Sequence, residues 1–121
     1  VLATDYFPEA LDFVALNAAQ NGVAIATQLL DFREPDLPRR YDLVLASDVL
    51  YERRNHQPVL AALLRLLAPT GVAYVSDPQR PTARAFIDMV DDSPLQRTTT
   101  TVTVSQKTGP VPVDLHALRW R

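Results

Sequence analysis

Tyr41-Asp42-Leu43-Val44-Leu45-Ala46-Ser47 is an almost unbroken apolar run, and Asp48-Val49-Leu50-Tyr51 follows it directly. A run of this length and composition predicts a strand covered on both faces, as in the interior of a parallel sheet. Parallel strands need long crossover connections, so this one segment commits the chain to an α/β architecture. Ligands of open α/β sheets sit outside the carboxyl ends of the strands. The Asp48 carboxylate and the Tyr51 phenol therefore stand where chemistry is expected.

The rest of the chain supplies the crossovers. Val1–Asp5 reads as a short buried strand that ends in an acid. Pro8-Glu9 opens a helix, since Pro suits the first turn and Glu its positive end. Leu11, Val14, Ala15 and Ala18 recur at helical spacing, and Asn21-Gly22 stops the helix. Val23–Leu30 predicts a second strand closing on Asp31-Phe32. Pro35 and Pro38 exclude a normal helix before Arg40. Pro58–Leu67 predicts a helix with Val59, Leu60, Leu63, Leu64 and Leu67 inward. Thr70-Gly71 predicts a turn into a strand over Val72–Ser76 that ends at Asp77-Pro78. Thr82–Val90 reads as a helix, and the Thr- and Val-rich Leu95–Ser105 as a strand. Lys107–Pro110 is a turn, and Val111–Trp120 alternates as a final antiparallel strand with Val113, Leu115 and Ala117 on one face. The expected order is β-α-β-β-α-β-α-β-β, a mostly parallel sheet closed by a C-terminal antiparallel hairpin.

Composition narrows the function classes. A length of 121 residues bounds the chain to one domain at most. A net charge of −2 gives no electrostatic reason to expect nucleic acid or an anionic membrane as partner. No apolar run approaches the roughly 18 residues of a membrane span. The chain has no cysteine, which excludes disulfides and thiolate metal sites and fits a cytoplasmic location. Its three glycines, Gly22, Gly71 and Gly109, form no phosphate-type or dinucleotide-type loop. His56 and His116 have no metal-ligand spacing, so both read as surface or satisfied histidines.

Each strand-end acid has a structural and a functional reading. Asp5, with Tyr6 beside it, can accept ribose hydroxyls while the aromatic stacks on a base, or it can simply cap the helix that follows. Asp31 can accept from an exocyclic amine with Phe32 covering a flat ring, or serve as a turn residue with Phe32 as a core plug. Asp48 and Tyr51 can position a nucleophile and substrate, or act as a helix cap and a core aromatic. Asp77 before Pro78 reads as a cap or turn residue, and Arg53-Arg54 as a solvated edge.

Taken together, Val1–Asp5, Asn17-Ala18-Ala19-Gln20-Asn21-Gly22-Val23, Leu29-Leu30-Asp31-Phe32 and Tyr41–Tyr51 resemble a class I S-adenosylmethionine-dependent methyltransferase. Within that superfamily the chain is similar to the lysine-methyltransferase-like group known as methyltransferase family 16. That group carries an Asp-x-x-Tyr motif after its fourth strand, matched by Asp48-Val49-Leu50-Tyr51. The resemblance implies a Rossmann-like methyltransferase sheet and S-adenosylmethionine as cofactor. Asp5 would hold the ribose, with Tyr6 near the adenine; Asp31 would meet the adenine amine, with Phe32 on the ring. Ala46 and Asp48 would line the methionine end, and Asp48 and Tyr51 would serve the acceptor. It implies methyl transfer to a protein lysine or another acceptor, without metal.

The family's first strand and Gly-rich loop have no counterpart in the sequence. The expectation is therefore that residues 1–121 form the C-terminal two-thirds of a single methyltransferase domain whose parent protein supplies that strand. The strand lies mid-sheet in the family, so two interior edges would be left unpaired. The 121 residues alone are expected to be inactive, to bind cofactor weakly, and to be able to swap strands into an oligomer. Two rivals stand beside this reading. One is a phosphorelay receiver with Asp48 as phospho-acceptor, disfavoured by Pro35, Pro38 and the strand-like C-terminus. The other is a non-catalytic methyltransferase-like interaction module.

Overall fold

The structure is a computed structural model that describes residues 1–121. The chain divides into two compact units, Val1–Asp36 and Leu37–Arg121.

The first unit is a β-α-β crossover. Strand β1 (Leu2–Asp5) leads to helix α1 (Pro8–Gln20) and then to strand β2 (Ala26–Leu29), which pairs with β1 in parallel. Pro8 occupies the first turn of α1. The helix stops at Asn21-Gly22 as the sequence indicates: Gly22 N–H donates to Ala19 O (3.1 Å) and Val23 N–H to Ala18 O (3.0 Å), with Gly22 at φ 64°. That crossed pair of bonds satisfies the last carbonyls and requires the left-handed conformation that glycine adopts without a Cβ penalty. The second strand starts at Ala26 rather than Val23, because only Ala26–Leu29 finds partners on the short β1. Burial is thinner than the sequence suggests. β1 is at most half-buried, β2 is exposed throughout, and on α1 only Ala18 is buried.

The second unit is a four-stranded sheet of order β3-β4-β6-β5, built from β3 (Tyr41–Ser47), β4 (Leu67–Asp77), β5 (Leu95–Gln106) and β6 (Gly109–Trp120). β3 and β4 are parallel and joined through a 3₁₀ turn (Arg53–Asn55) and helix α2 (His56–Leu66). Helix α3 (Ala83–Asp91) leads to β5, which forms an antiparallel hairpin with β6, and β6 lies antiparallel against β4. The core lies between one face of this sheet and the two helices. Val59, Leu60, Leu63 and Leu66 of α2 and Phe86 and Val90 of α3 are buried, as are Ala73, Val75 and Leu118 of the sheet.

Two expectations need correction here. The Tyr41–Ser47 run is a strand with those bounds, but it is not covered on both faces. Leu43 and Leu45 are 54% and 71% exposed, because β3 is the outer strand of its sheet and both helices lie on the other face. The Thr70-Gly71 turn is absent. β4 runs unbroken from Leu67, and an irregularity in register absorbs the extra residues, with Tyr41 opposite Leu67 and Leu43 opposite Val72. Gly71 permits this because a Cβ there would lie 2.9 Å from Asp42 O and 3.0 Å from Tyr41 O.

The final strand also differs in detail. Val113, Leu115 and Ala117 do share a face, yet they are only half-buried, and the deeply buried row holds His116 and Leu118. No helix is long and apolar enough to cross a membrane.

Candidate functional site

In the first unit, β1 and β2 run parallel, so Asp5 and the Leu30-Asp31-Phe32 segment emerge at the same end of the pair; Leu30 N–H donates to Asp5 O at 2.9 Å. The Asp5 side chain is neither an N-cap nor idle. Its Oδ1 accepts the Phe7 N–H at 2.9 Å, tightening the turn into α1, whose N-cap position is Phe7 without a side-chain bond. Oδ2 has no partner in the chain. Tyr6 is half-exposed and packs edge-on against Phe7, with ring centroids 5.2 Å apart.

Asp31 is more heavily engaged than the sequence suggests. Arg33 donates its backbone N–H and Nε to Oδ1 (2.9 and 2.8 Å) and its Nε and Nη2 to Oδ2 (2.9 and 2.5 Å). These bonds, the side-chain ones foremost, hold the Asp31 carboxyl below the usual carboxylate range and raise the guanidinium of Arg33 above its ordinary value. The same guanidinium lies 5.4 Å from the centre of the Tyr6 ring. Asp5, Tyr6, Asp31 and Arg33 therefore form one cluster at the strand ends. Phe32 is half-buried beside it.

In the second unit, Ser47 and Ser76 are register partners whose hydroxyls meet at 3.0 Å, so β3 and β4 leave the sheet side by side. Asp48 follows with a left-handed backbone, φ 56°. The loop then anchors itself through Leu50, which is 1% exposed and whose carbonyl accepts from Thr82 Oγ1 (2.9 Å) and lies 3.1 Å from His56 Nε2. With Leu50 pinned inward, Asp48 and Tyr51 are left at the surface, Tyr51 at 53% exposure. Neither is a helix cap or a core aromatic. Ala46 is half-buried on β3 opposite Val75.

The loop after β4 completes the arrangement. Asp77, buried at 3% exposure, accepts the Arg80 N–H at 2.9 Å and so closes the turn as expected of it. The Arg80 guanidinium reaches across to Asp48 Oδ1 at 2.7 Å. Arg80 also lines a cleft of about 360 Å³ together with Gln79, Arg97, Asp114 and His116. His116 is buried, with Nδ1 2.9 Å from Thr99 Oγ1; burial first, and the Arg97 charge second, push its imidazole below the usual histidine value. Thr101 and Gln79 hydrogen bonds hold the Asp114 carboxyl low. No group of three or more His, Cys, Asp or Glu could hold a metal ion.

Sequence reading missed Arg33 and Arg80. Each had a local signal, an arginine two or three residues after a strand-end acid, and Asp77-Pro78-Gln79-Arg80 repeats the spacing of Asp48-Val49-Leu50-Tyr51.

Solved structures of methyltransferases share this fold. The N-methyltransferase NodS from Bradyrhizobium japonicum WM9 matches with a TM-score of 0.74 at 17% identity over 98% of this chain and 72% of that one. An rRNA methylase from Streptococcus thermophilus matches at 0.73 and 13% identity, over 100% and 74%. NodS in complex with S-adenosyl-L-homocysteine matches at 0.75 and 17%, over 98% and 65%. No curated protein matches. The profile of the lysine methyltransferase family matches residues 1–93, and the chain belongs to that family. The receiver alternative falls with this, and no helix lies between β2 and β3.

Proposed function

We propose that this chain carries much of the site of an S-adenosylmethionine-dependent lysine methyltransferase, with Asp48 and Tyr51 serving the acceptor amine. The observation that carries the reading is the Asp48–Tyr51 loop. An inward-pinned Leu50 holds a carboxylate and a phenol at the surface, at the carboxyl end of a parallel strand.

The residues fit the cofactor in part. Asp5 has a free Oδ2 at a strand end and a half-exposed aromatic next to it, a donor set suited to ribose hydroxyls and a flat base. Asp31 fits less well. Its oxygens already accept four contacts from Arg33, about the capacity of a carboxylate, so an adenine amine must share or displace that arginine. Phe32 remains available to flank a ring, and Ala46 gives a small side chain at the end of β3.

The bound cofactor would supply an electrophilic methyl group. The chain's part is then positioning and water exclusion more than covalent chemistry. A lysine acceptor must attack as the neutral amine: its lone pair would form the new N–C bond as the methyl's bond to the sulfonium sulfur breaks, that electron pair staying on sulfur, and the proton then left on nitrogen must be taken up. Asp48 stands ready to accept that proton or to orient the N–H, and the Tyr51 hydroxyl to steer the amine.

The test is to incubate the full-length protein with methyl-tritiated S-adenosylmethionine and a cell extract, then hydrolyse the labelled protein to amino acids. Label in methylated lysines, lost with D48A, supports the reading. Label in other residues or in small molecules keeps the methyltransferase and removes the lysine. No transfer with any acceptor sinks it.

A further inference from the structure

Asp48 and Gln79 are the two non-glycine residues with positive φ, both at 56°. They lie just past the ends of the paired strands β3 and β4. Left-handed backbone is costly for an ordinary L-residue, less so for Asp, and persists only where the surroundings enforce it. Here they do. The loop after β4 is fixed at three points: Arg80 N–H on buried Asp77 Oδ2 (2.9 Å), Gln79 Nε2 on Asp114 Oδ1 (3.1 Å), and Thr82 Oγ1 on Leu50 O (2.9 Å). The last of these ties it to the Asp48–Tyr51 loop.

From this fixed base the Arg80 side chain spans 32 residues of sequence to reach Asp48. It places Nε (3.2 Å) and Nη2 (2.7 Å) both on Oδ1. A two-oxygen fork would engage both carboxylate oxygens, whereas this geometry places both contacts on one oxygen and leaves Oδ2 without a partner. The pair is 40% and 60% exposed, the setting in which ion pairs add little to stability. Its consequence is therefore orientational.

We propose that Arg80 is a positioning residue: by holding Asp48 Oδ1, it turns Oδ2 outward as the one oxygen open to a cationic or N–H-bearing ligand group. This rests on the reading of Asp48 as a site residue. It adds a specific dependence of that residue on the loop after β4. The ligand groups it fits are the ammonium at the methionine end of the cofactor and the amine of the acceptor.

The test is a double-mutant cycle on the full-length protein, titrating S-adenosylmethionine by calorimetry with wild type, R80A, D48N and R80A/D48N, and with R80K alongside. R80A is expected to weaken binding on the order of fivefold, the scale of one charge-assisted hydrogen bond. R80K should recover part of the loss, and R80A/D48N should bind no more weakly than D48N alone. Thermal melts identify any variant that does not fold, and if R80A is one, R80K and R80Q complete the comparison. If D48N weakens binding while replacement of Arg80 has no effect, or adds to D48N independently, the proposal is overturned and Asp48 keeps its role. If D48N binds as well as wild type, Asp48 Oδ2 does not meet the cofactor and the proposal is overturned, while the assignment of Asp48 to the acceptor stands; if the wild type does not bind at all, the functional reading fails and the proposal with it.

Discussion

A carboxylate on a left-handed backbone combines two demands that few residues meet. Asp and Asn tolerate that conformation far better than other side chains with a Cβ, and of the two only Asp brings the charge that Arg80 binds. The position thus separates backbone from chemistry experimentally. D48N should keep stability within about 0.5 kcal/mol of wild type, because it leaves the αL preference intact and breaks only an exposed ion pair. D48A should cost about 1 kcal/mol through the backbone alone. Urea unfolding of the two variants distinguishes these outcomes, and equal losses would mean that φ at residue 48 is not under strain. A second residue, His116, sets a pH dependence. Its imidazole titrates below the usual 6.5 because burial, then Arg97, disfavour the cation. The folded state therefore binds its proton less readily than the unfolded state, so stability is full above 6.5 and falls as pH drops from there towards the lowered folded value. The lowered carboxyls of Asp31, Asp91 and Asp114 act in the same direction, but only below the ordinary Asp range near 3.8. H116Q should flatten the loss of stability between neutral and mildly acidic pH, measured as urea midpoints, and leave the steeper loss at lower pH in place. An unchanged slope in H116Q would show that the histidine charges freely in the folded state.

At the scale of elements, the same chemistry made some features readable and hid others. The stop of α1 at Asn21-Gly22 and the bounds of β3 follow from signals contained within a few residues, and the structure has them where those signals lie; the hairpin turn falls within the expected Lys107–Pro110 segment but is tighter, because Gly109 and Pro110 already pair with Gln106 and Ser105 as the start of β6. The start of β4 was not readable. Leu66-Leu67-Ala68 continues the helical apolar pattern, and only pairing with Tyr41 makes Leu67 the first residue of a strand. The candidate site divides the same way. Asp5, Asp31 and Asp48 are visible as acids after apolar runs, but the Arg80–Asp48 pair depends on two loops meeting across 32 residues, which no local pattern reports. Gly71 shows how the long-range term wins. Read locally it is a turn residue, yet it sits inside β4 because the β3 backbone passes too close for any Cβ. G71A should therefore destabilise the protein by about 2 kcal/mol or more, since the clashing atoms are backbone oxygens that cannot swing aside. Urea unfolding measures it, and a loss no larger than the few tenths of an ordinary surface change would mean that the β3–β4 register can shift at little cost.

At the scale of the whole molecule, the unusual quantity is unpaired strand edge. β1 has a neighbour only in β2, and β3 has one only in β4. Natural sheets blunt such edges with charge, proline or bulges. β3 has little of this protection: Asp42 is its one charge, and Leu43 and Leu45 beside it are among the most exposed large apolar side chains in the chain. Its N–H and C=O groups on the open side are free to pair, and the exposed leucines supply apolar area that any added layer would remove from water, at roughly 25 cal/mol per Å². The opposite edge of the same sheet differs. β5 presents Thr98 to Thr101 and Thr103, whose hydroxyls suit water, with only Val102 and Val104 between and beyond them. The sheet is therefore polarised, and association should proceed through β3 rather than β5. The 121-residue chain is expected to associate with rising concentration in sedimentation velocity runs. L45K should shift it towards monomer, because a lysine on the exposed face of an edge strand must lose its hydration for a second layer to pack there. V104K on β5 should leave the distribution as it was. Equal suppression by both substitutions would point to general solubility rather than to the β3 edge, and a wild-type chain that stays monomeric throughout would show that the open edge of β3 does not drive association.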